Sequence, residues 1–431
     1  MSIGSIMTTR SSRVLLVLVS VWFIAFAALA MRLAFAWDQQ RKIPHQALAT
    51  VPFEQESGNI ALALAQGHGY SNLFRRNTGP TAWLAPVYPF LLSLIFRMFG
   101  PLTLSSFFAA VVLNALFSAA ATVPLYDIAR RLAGPAAGVA AAWCWAVLPA
   151  GVLMPFEWIW DTSLSVLLAT TLVWLTLRVA DSTNLYLWIA YGWLWALALL
   201  TNPALGVALP FLFVWAALRA GWRSRKSWFT PALSLAVIFL CVLPWTVRNY
   251  ERFHRFIPVR SSLPFELWIG NNDIFDEHAV HGIQRITRYE ETHRYAELGE
   301  NAYLDEKLRL ARSFIAEKPA LFVALTGRRI LATWSGTEHP YADFLRADSL
   351  LPRVIFVVNL FLTLGTLAGV TLLLAGKNRL ALPLAVFPVF YPLIYYITHA
   401  SLRYRHPIDP LLVLLSVFAV ACCFRRSAAA S

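Results

Sequence analysis

Long apolar runs alternate with polar connections along the whole chain, and the pattern predicts helices that cross a membrane. Ten runs are long enough to be read as spans: 13–35, 104–126, 135–153, 162–179, 185–201, 205–220, 230–247, 353–376, 380–398 and 408–424. An apolar helix of about 20 residues crosses the hydrocarbon layer. Several runs are shorter or interrupted by proline, as in "AVLPAGVLMP" and "LTNPALG". Such breaks are tolerated at membrane depth only where neighbouring protein or a cavity satisfies the freed backbone groups. The prediction is an all-α polytopic membrane protein of about 10 spans, arranged as a bundle.

Composition supports the pattern. Of 431 residues, 58% are hydrophobic and 14% charged, where a soluble protein carries about 25% charged residues. The first apolar run, Val14 to Phe35, is long enough to span and ends in Arg32 and aromatics, so it is read as an uncleaved first span. Cys144, Cys241, Cys422 and Cys423 all fall in apolar segments and read as small packing residues.

The net charge of +13 would suit nucleic acid, but its placement gives another reason. With the N-terminus inside, the short loops on that side hold thirteen of the 36 Lys and Arg: Arg10, Arg13, Arg130, Arg131, Arg178, those of 219–226, Lys377, Arg379, Arg425 and Arg426. They hold only Asp127 and Asp181 among the acids. This is the positive-inside distribution, with both termini cytoplasmic and no nucleic-acid partner. Two long polar segments, about 36–103 and 248–352, then lie outside and carry seven of the nine histidines, and His399 and His406 stand at the outer mouth of the last span. The expected organisation is an N-terminal membrane module (1–247) with a catalytic first outer loop (36–103), an outer helical segment (248–352) and a C-terminal membrane module (353–431). The stretch 85–100, apolar but short, is read as a helix lying in the outer interface, because a full span there would invert the charge pattern. In the second segment, Leu304, Leu308, Ala311 and Ile315 recur at helical spacing, and "FVALTGRRILATW" reads as an amphipathic interfacial helix.

Four constellations on the outer side bear on chemistry. In "VPFEQESGNIALALAQGHGY", Glu54 and Glu56 precede a helix-compatible stretch. They serve either as helix-start carboxylates favoured by the dipole or as a general base toward an acceptor. In "ASLRYRHPIDP", Arg403 and Arg405 flank Tyr404 beside His406; guanidiniums grip phosphate with forked hydrogen bonds, and the plainer role is snorkelling. In 244–272, Arg248, Arg252, Arg255 and Arg260 form a basic cluster suited to an anionic lipid headgroup, and Asn271 and Asn272, together with Tyr88, are placed as sugar or acceptor contacts. In "MPFEWIWDTSL", Asp161 is either a helix N-cap or a second functional acid. His278 and His281 share a helix-face spacing, a weak metal signal without a third ligand. No Walker loop, Ser-His-Asp set or HExxH is present.

Taken together and in order, "GNIALALAQGHGYS", "GPTAWLAPVYPFLLSLIFRMFG", "ARRLAGPAAG", "PWTVRNY", "LWIGNN" and "RYRHPIDP" resemble the bacterial membrane glycosyltransferases of the GT-C superfold, in the branches of protein O-mannosyltransferases and aminoarabinose transferases. The resemblance implies transfer of a sugar from a polyprenyl-phosphate-linked donor to a periplasmic-side acceptor (protein, lipid or glycan) at the outer face of a bacterial inner membrane, with inversion. Aligning Ala61, Leu64, Gly67, Gly69 and Tyr70 with the family's first-loop pattern puts Glu54 on its second acid, with Glu56 as the alternative; Phe53 and Ser57 stand where the first acid and a tyrosine are usual. Arg403 and Arg405 fall on the family's lipid-phosphate site. A divalent metal ion is used by some relatives and not by others. The competing class is a transporter or flippase of lipid-linked saccharides, which would place ionisable residues within its spans; the spans read here hold almost none. A non-catalytic scaffold is the third.

Overall fold

The computed structural model describes residues 19–74, 77–221, 228–272, 288–336 and 350–430. Arg10, Arg13, the 222–227 part of the basic loop, and His278 and His281 lie outside the described residues.

Each of the ten apolar runs becomes a helix or a helix pair. Among the described residues six helices are long and apolar enough to cross a membrane alone: Val21–Gln40, Leu104–Ala133, Thr162–Val179, Phe229–Phe253, Leu350–Ala375 and Leu402–Arg425. A seventh span is the pair Pro135–Val147 and Pro149–Glu157, bent by 42°. Its break falls at Leu148, where the following proline disfavours helical geometry. The runs at 185–201, 205–220 and 380–398 give the shorter apolar helices Leu185–Leu199, Pro203–Arg219 and Ala381–Ile397, so the count of ten is not reached by length and composition alone. The chain is a multi-pass membrane protein. Val87–Phe99, the stretch read as interfacial, has 13 residues; at 1.5 Å per residue that is about 20 Å, short of a roughly 30 Å hydrocarbon layer.

Thr162–Val179 is the central post, with 78% of its apolar window buried, against 22% for Val21–Gln40, Phe229–Phe253 and Leu350–Ala375 at the periphery. Around it, Trp145, Trp188, Tyr191, Trp195 and Phe387 fill the core. The peripheral helices turn Trp22, Phe26, Phe239 and Phe361 outward, as side chains facing lipid do.

The charge pattern has a spatial counterpart. Asp127 accepts hydrogen bonds from Arg130 (2.8 Å), Arg131 (2.9 Å) and Arg178 (3.0 Å), Asp181 pairs with Arg219 at 3.1 Å, and Arg425 donates to the Ala133 carbonyl. Loops assigned to one side by sequence thus meet at one end of the bundle. The two long polar segments gather at the other end. Helix Arg288–Glu317, kinked at Gly299, turns a stripe of Tyr303, Leu304, Lys307, Ala311 and Phe314 inward. The spacing follows the expected helical period, but Leu308 and Ile315 are only partly buried and Lys307 joins the stripe by pairing with Glu291 at 2.6 Å.

One expectation is corrected. The spans are not almost free of charge: Arg32, Arg405 and Asp409 are buried inside them. Arg32 donates to Ser118 Oγ (2.9 Å) and the Ala28 carbonyl (2.8 Å) and lies over the Trp145 ring. Arg405 meets Asp409 at 3.0 Å and also bonds Asn359 and the Thr333 carbonyl. Each charge is matched by hydrogen bonds, which is what makes its burial tolerable.

Candidate active site

At the polar-loop end, the bundle encloses a cavity of about 310 Å³. Its walls come from distant parts of the sequence because each is held by a local irregularity. The proline in "TNPA" breaks the helix after Leu199, and Asn202, Pro203 and Ala204 face the cavity. Asn202 is held by Ser165 Oγ (3.3 Å) and the Tyr391 hydroxyl (3.4 Å). The interrupted span thus borders a cavity, as the physics of freed backbone groups requires. Asp161 sits at the start of Thr162–Val179; its backbone carbonyl accepts from Ser165 N at 2.8 Å, but its side chain makes no cap hydrogen bond and lines the cavity instead.

The opposite wall carries the cations. Arg260 lines the cavity and bonds Ser262 Oγ (3.0 Å) and Glu266 Oε1 (3.2 Å). Arg403 stacks against Trp158 (4.4 Å) and Trp160 (4.9 Å) and donates through Nη2 to the Tyr404 hydroxyl at 2.7 Å. Its Nε has no acceptor among the described residues. A guanidinium sandwiched by rings keeps its edge donors available, and that edge is what grips an oxyanion. The same tyrosine hydroxyl contacts His399 Nε2 (2.8 Å), and His399 Nδ1 lies 3.6 Å from Glu266. Tyr404 thus joins His399 to Arg403 by hydrogen bonds, with Glu266 beside the imidazole but not bonded to its Nδ1.

Electrostatics single out two of these groups. Burial pushes the Asp161 carboxyl up to about 6, with Arg260 and Arg403 pulling the other way. Burial lowers the His399 imidazole, with Glu266 opposing. A carboxyl shifted toward neutral pH beside two guanidiniums in a cleft is the environment in which acid–base residues are found.

Glu56 lines a smaller cavity of about 70 Å³ that shares Leu84, Trp160, Glu266, His399, Arg403 and Tyr404 with the first. Glu54, the first choice from the alignment, lines neither cavity; it closes the turn Val51–Phe53 and its carbonyl accepts from Asn59. Phe53, where the family pattern has an acid, is buried and packs edge-on against Phe96 at 4.9 Å. Helix Glu56–Ala65 lies so close over that turn that a Cβ on Gly58 would run into the Phe53 carbonyl.

The remaining expected residues part company with the cavity. Arg405 cannot share a ligand with Arg403: two residues apart on a helix, they point about 200° from each other, and Arg405 is bound to Asp409. His406 is buried, stacked on Trp145 and held by Asp409 at 2.8 Å. Arg248 donates to the Thr81 (2.7 Å) and Tyr70 (2.8 Å) carbonyls beneath Trp245, fastening the first loop. Asn271 and Asn272 donate to backbone carbonyls, and Arg329 also reaches Asn271. Tyr88 is buried with its hydroxyl on Asn114 at 3.0 Å. None of these six lines either cavity.

Sequence reasoning missed Glu266 and His399, and it missed the organiser Glu300. This buried carboxylate accepts from Thr81 Oγ1 (2.5 Å), Ala82 N (2.9 Å), Ser261 Oγ (2.6 Å) and the Tyr295 hydroxyl (2.7 Å). It ties the segments that present Leu84 and Arg260 to the cavity. His399 lies on the non-helical link between Ile397 and Leu402, where no helical period marks it. Among the described residues no group of three or more His, Cys, Asp or Glu side chains converges as a metal site, and no step is assigned to a metal ion.

Residues 83–247 match the family model described as dolichyl-phosphate-mannose-protein mannosyltransferase. The match includes Asp161 and Arg32's partner Ser118 but neither first-loop glutamate nor Arg403. Among solved structures, the chain is similar to the oligosaccharyltransferase of Archaeoglobus fulgidus, described in complex with Zn and sulfate, at TM-score 0.53 and 14% identity, over 94% of this chain and 49% of that one. A second structure, the archaeal oligosaccharyltransferase AglB of Archaeoglobus fulgidus with an inhibitory peptide and a dolichol-phosphate, gives TM-score 0.49 and 14% identity, over 87% and 46% of the two chains. The chain spans about half the length of these solved proteins. No curated protein sequence matches it. In fold the chain is thus of the GT-C type, and over residues 83–247 it is similar to the dolichyl-phosphate-mannose-protein mannosyltransferase family.

Proposed function

We propose that the protein is a membrane glycosyltransferase that takes a sugar from a polyprenyl-phosphate donor and delivers it to an acceptor at the outer face of a bacterial inner membrane. One observation carries this reading: a membrane-end cavity holds Arg403 with an unsatisfied edge, a second cation at Arg260, and the shifted carboxyl of Asp161. The similarity to mannosyltransferases that use a lipid phosphate supports it.

In this mechanism Arg403 and Arg260 hold the donor phosphate. The acceptor oxygen attacks the anomeric carbon as the bond from that carbon to the phosphate oxygen breaks, and the electron pair leaves on the phosphate. The growing phosphate charge is met by guanidinium donors already in place, the kind of preorganised stabilisation that dominates many enzymes. Glu56, on the acceptor side of the shared wall, takes the proton from the attacking hydroxyl. Ionised Asp161 accepts hydrogen bonds from the sugar and balances positive charge at the anomeric carbon. A single displacement inverts that carbon. The test is transfer from a purified polyprenyl-phosphate mannose or aminoarabinose donor by protein in liposomes, with the anomeric configuration of the product read by NMR. Retention, or donor binding without turnover under all conditions, would contradict it.

A further inference from the structure

The first polar segment holds a second, larger cavity that the reaction above does not use. It measures about 690 Å³, within the range of small-ligand sites. Asn59, Gln66, His68, Ser71, Asn72 and Asn77 supply its polar lining, and Leu62, Pro80 and Leu102 its apolar part. No carboxylate, lysine or arginine belongs to that lining among the described residues.

Two carboxamides in it are set up with an unmet acceptor. Asn59 is 4% exposed, and its Nδ2 donates to the carbonyls of Leu73 (2.9 Å) and Glu54 (3.3 Å). Those two bonds fix which way the amide faces, because only the NH₂ group can donate to a carbonyl. Its Oδ1 has no partner among the described residues. Asn72 is held at φ 60, in a loop closed by Asn72 N to the Gly79 carbonyl (3.0 Å) and Thr81 N to the Tyr70 carbonyl (3.2 Å). Its buried Oδ1 is likewise unpartnered among the described residues. A buried amide oxygen without a donor is costly, and a ligand hydroxyl supplies the missing donor.

Carboxamides offer donors and acceptors together, the pairing that suits neutral hydroxyls, and the apolar residues suit the C–H face of a sugar ring. An oxyanion brings only acceptors and would leave the two unmet amide oxygens unpaired, and a peptide offers fewer donating hydroxyls per unit of surface. The cavity also adjoins the chemistry: Glu56 and Asn59 are three residues apart on helix Glu56–Ala65, neighbouring positions on one side of a helix. We propose that this groove binds a neutral saccharide, the sugar portion of the acceptor, and presents its hydroxyl toward Glu56. The acceptor part rests on the transferase reading; the saccharide part does not.

The experiment is saturation-transfer NMR on the full-length protein in lipid nanodiscs. The probes are maltotriose, cellotriose and mannotriose, with 3′-sialyllactose and the peptide acetyl-Gly-Ser-Thr-Gly-amide as the anionic and peptidic arms. The expected result is transfer to at least one neutral trisaccharide, about tenfold weaker binding in the Gln66→Ala/Asn72→Gly double variant, and no change in Arg403→Ala. Gly at 72 keeps the positive φ accessible, and Gln66 is exposed, so the double variant spares the packing; its melting temperature checks that. Binding of the peptide or sialyllactose alone, no saccharide binding at millimolar concentration, or loss only in Arg403→Ala would each overturn the assignment. Polyprenyl-phosphate binding, measured in parallel, tells the two readings apart: if it is retained while the saccharide arm fails, the groove assignment alone falls; if it is absent while saccharide binds the groove, the transferase reading falls.

Discussion

Arg403 and Arg405 stand two residues apart and serve opposite purposes. Arg403 stacks on Trp158 and Trp160 at the cavity wall, whereas Arg405 lies within the last span, 3.0 Å from Asp409 and bonded to Asn359. Their substitutions should therefore fail differently. Arg403→Ala is expected to lower transfer by about 10²–10³-fold, the usual cost of one transition-state donor, with little change in thermal unfolding. Arg405→Ala is expected to destabilise the fold by about 3–5 kcal/mol by removing the buried cation that faces Asp409, which then keeps only His406 as a partner. Steady-state transfer and melting curves in detergent, measured on both variants, check the pair.

The two glutamates of the first loop should separate in the same way. Glu56 reaches the cavity that borders Arg403 and Glu54 does not. Glu56→Gln is expected to lower kcat by about 10²–10⁴-fold, the range of general-base catalysis. Glu54→Gln should leave kcat close to wild type. Equal losses in both, seen in initial rates at saturating donor, would contradict the assignment.

Asp161 gives the pH dependence a sign. Its carboxyl is raised by burial from 3.8 to about 6, and the ionised form is the active one in the proposed mechanism. Log kcat/KM should fall with a slope of one below about pH 6. Because the folded-state value lies above the ordinary one, the stabilising contribution is complete below about pH 4 and is lost as pH rises through 6. Asp161→Asn should thus be inactive yet melt higher than wild type at pH 7, with the gap closing toward pH 4.

Gly58 tests how the first loop is built. A Cβ there would meet the Phe53 carbonyl, and overpacking of this kind costs about 1–3 kcal/mol. Gly58→Ala should lower the melting temperature and also weaken transfer, since it lifts the helix that carries Glu56. A variant with wild-type stability and activity would show that the turn yields freely.

The hydrophobic pattern carried most of the architecture, because lipid contact and backbone satisfaction leave so few ways to arrange long apolar runs. The basic loops even indicated which connections meet: Asp127, Arg130, Arg131 and Arg178 converge. The site was only half legible. Arg403, Tyr404, Arg260, Asp161 and Glu56 reach the cavities, and each stood in a motif of aromatic or charged neighbours. Arg405, His406, Arg248, Asn271, Asn272 and Tyr88 looked equally chemical but are spent on the scaffold. Residue type cannot show which of two nearby arginines turns inward to an aspartate four residues on. Glu300 and Glu266 were invisible for the converse reason: their partners come from segments up to 219 positions away in sequence.

The most direct measurement follows release of free polyprenyl phosphate from a polyprenyl-phosphate-sugar donor, by purified protein in liposomes supplied with acceptor. Wild type should consume the donor and release the phosphate lipid. Arg403→Ala and Glu56→Gln should release little, and Arg403→Ala should also lose the thermal stabilisation that polyprenyl phosphate confers on wild type. Donor consumption unaffected by Arg403→Ala, or lipid-phosphate binding that ignores it, would contradict the account.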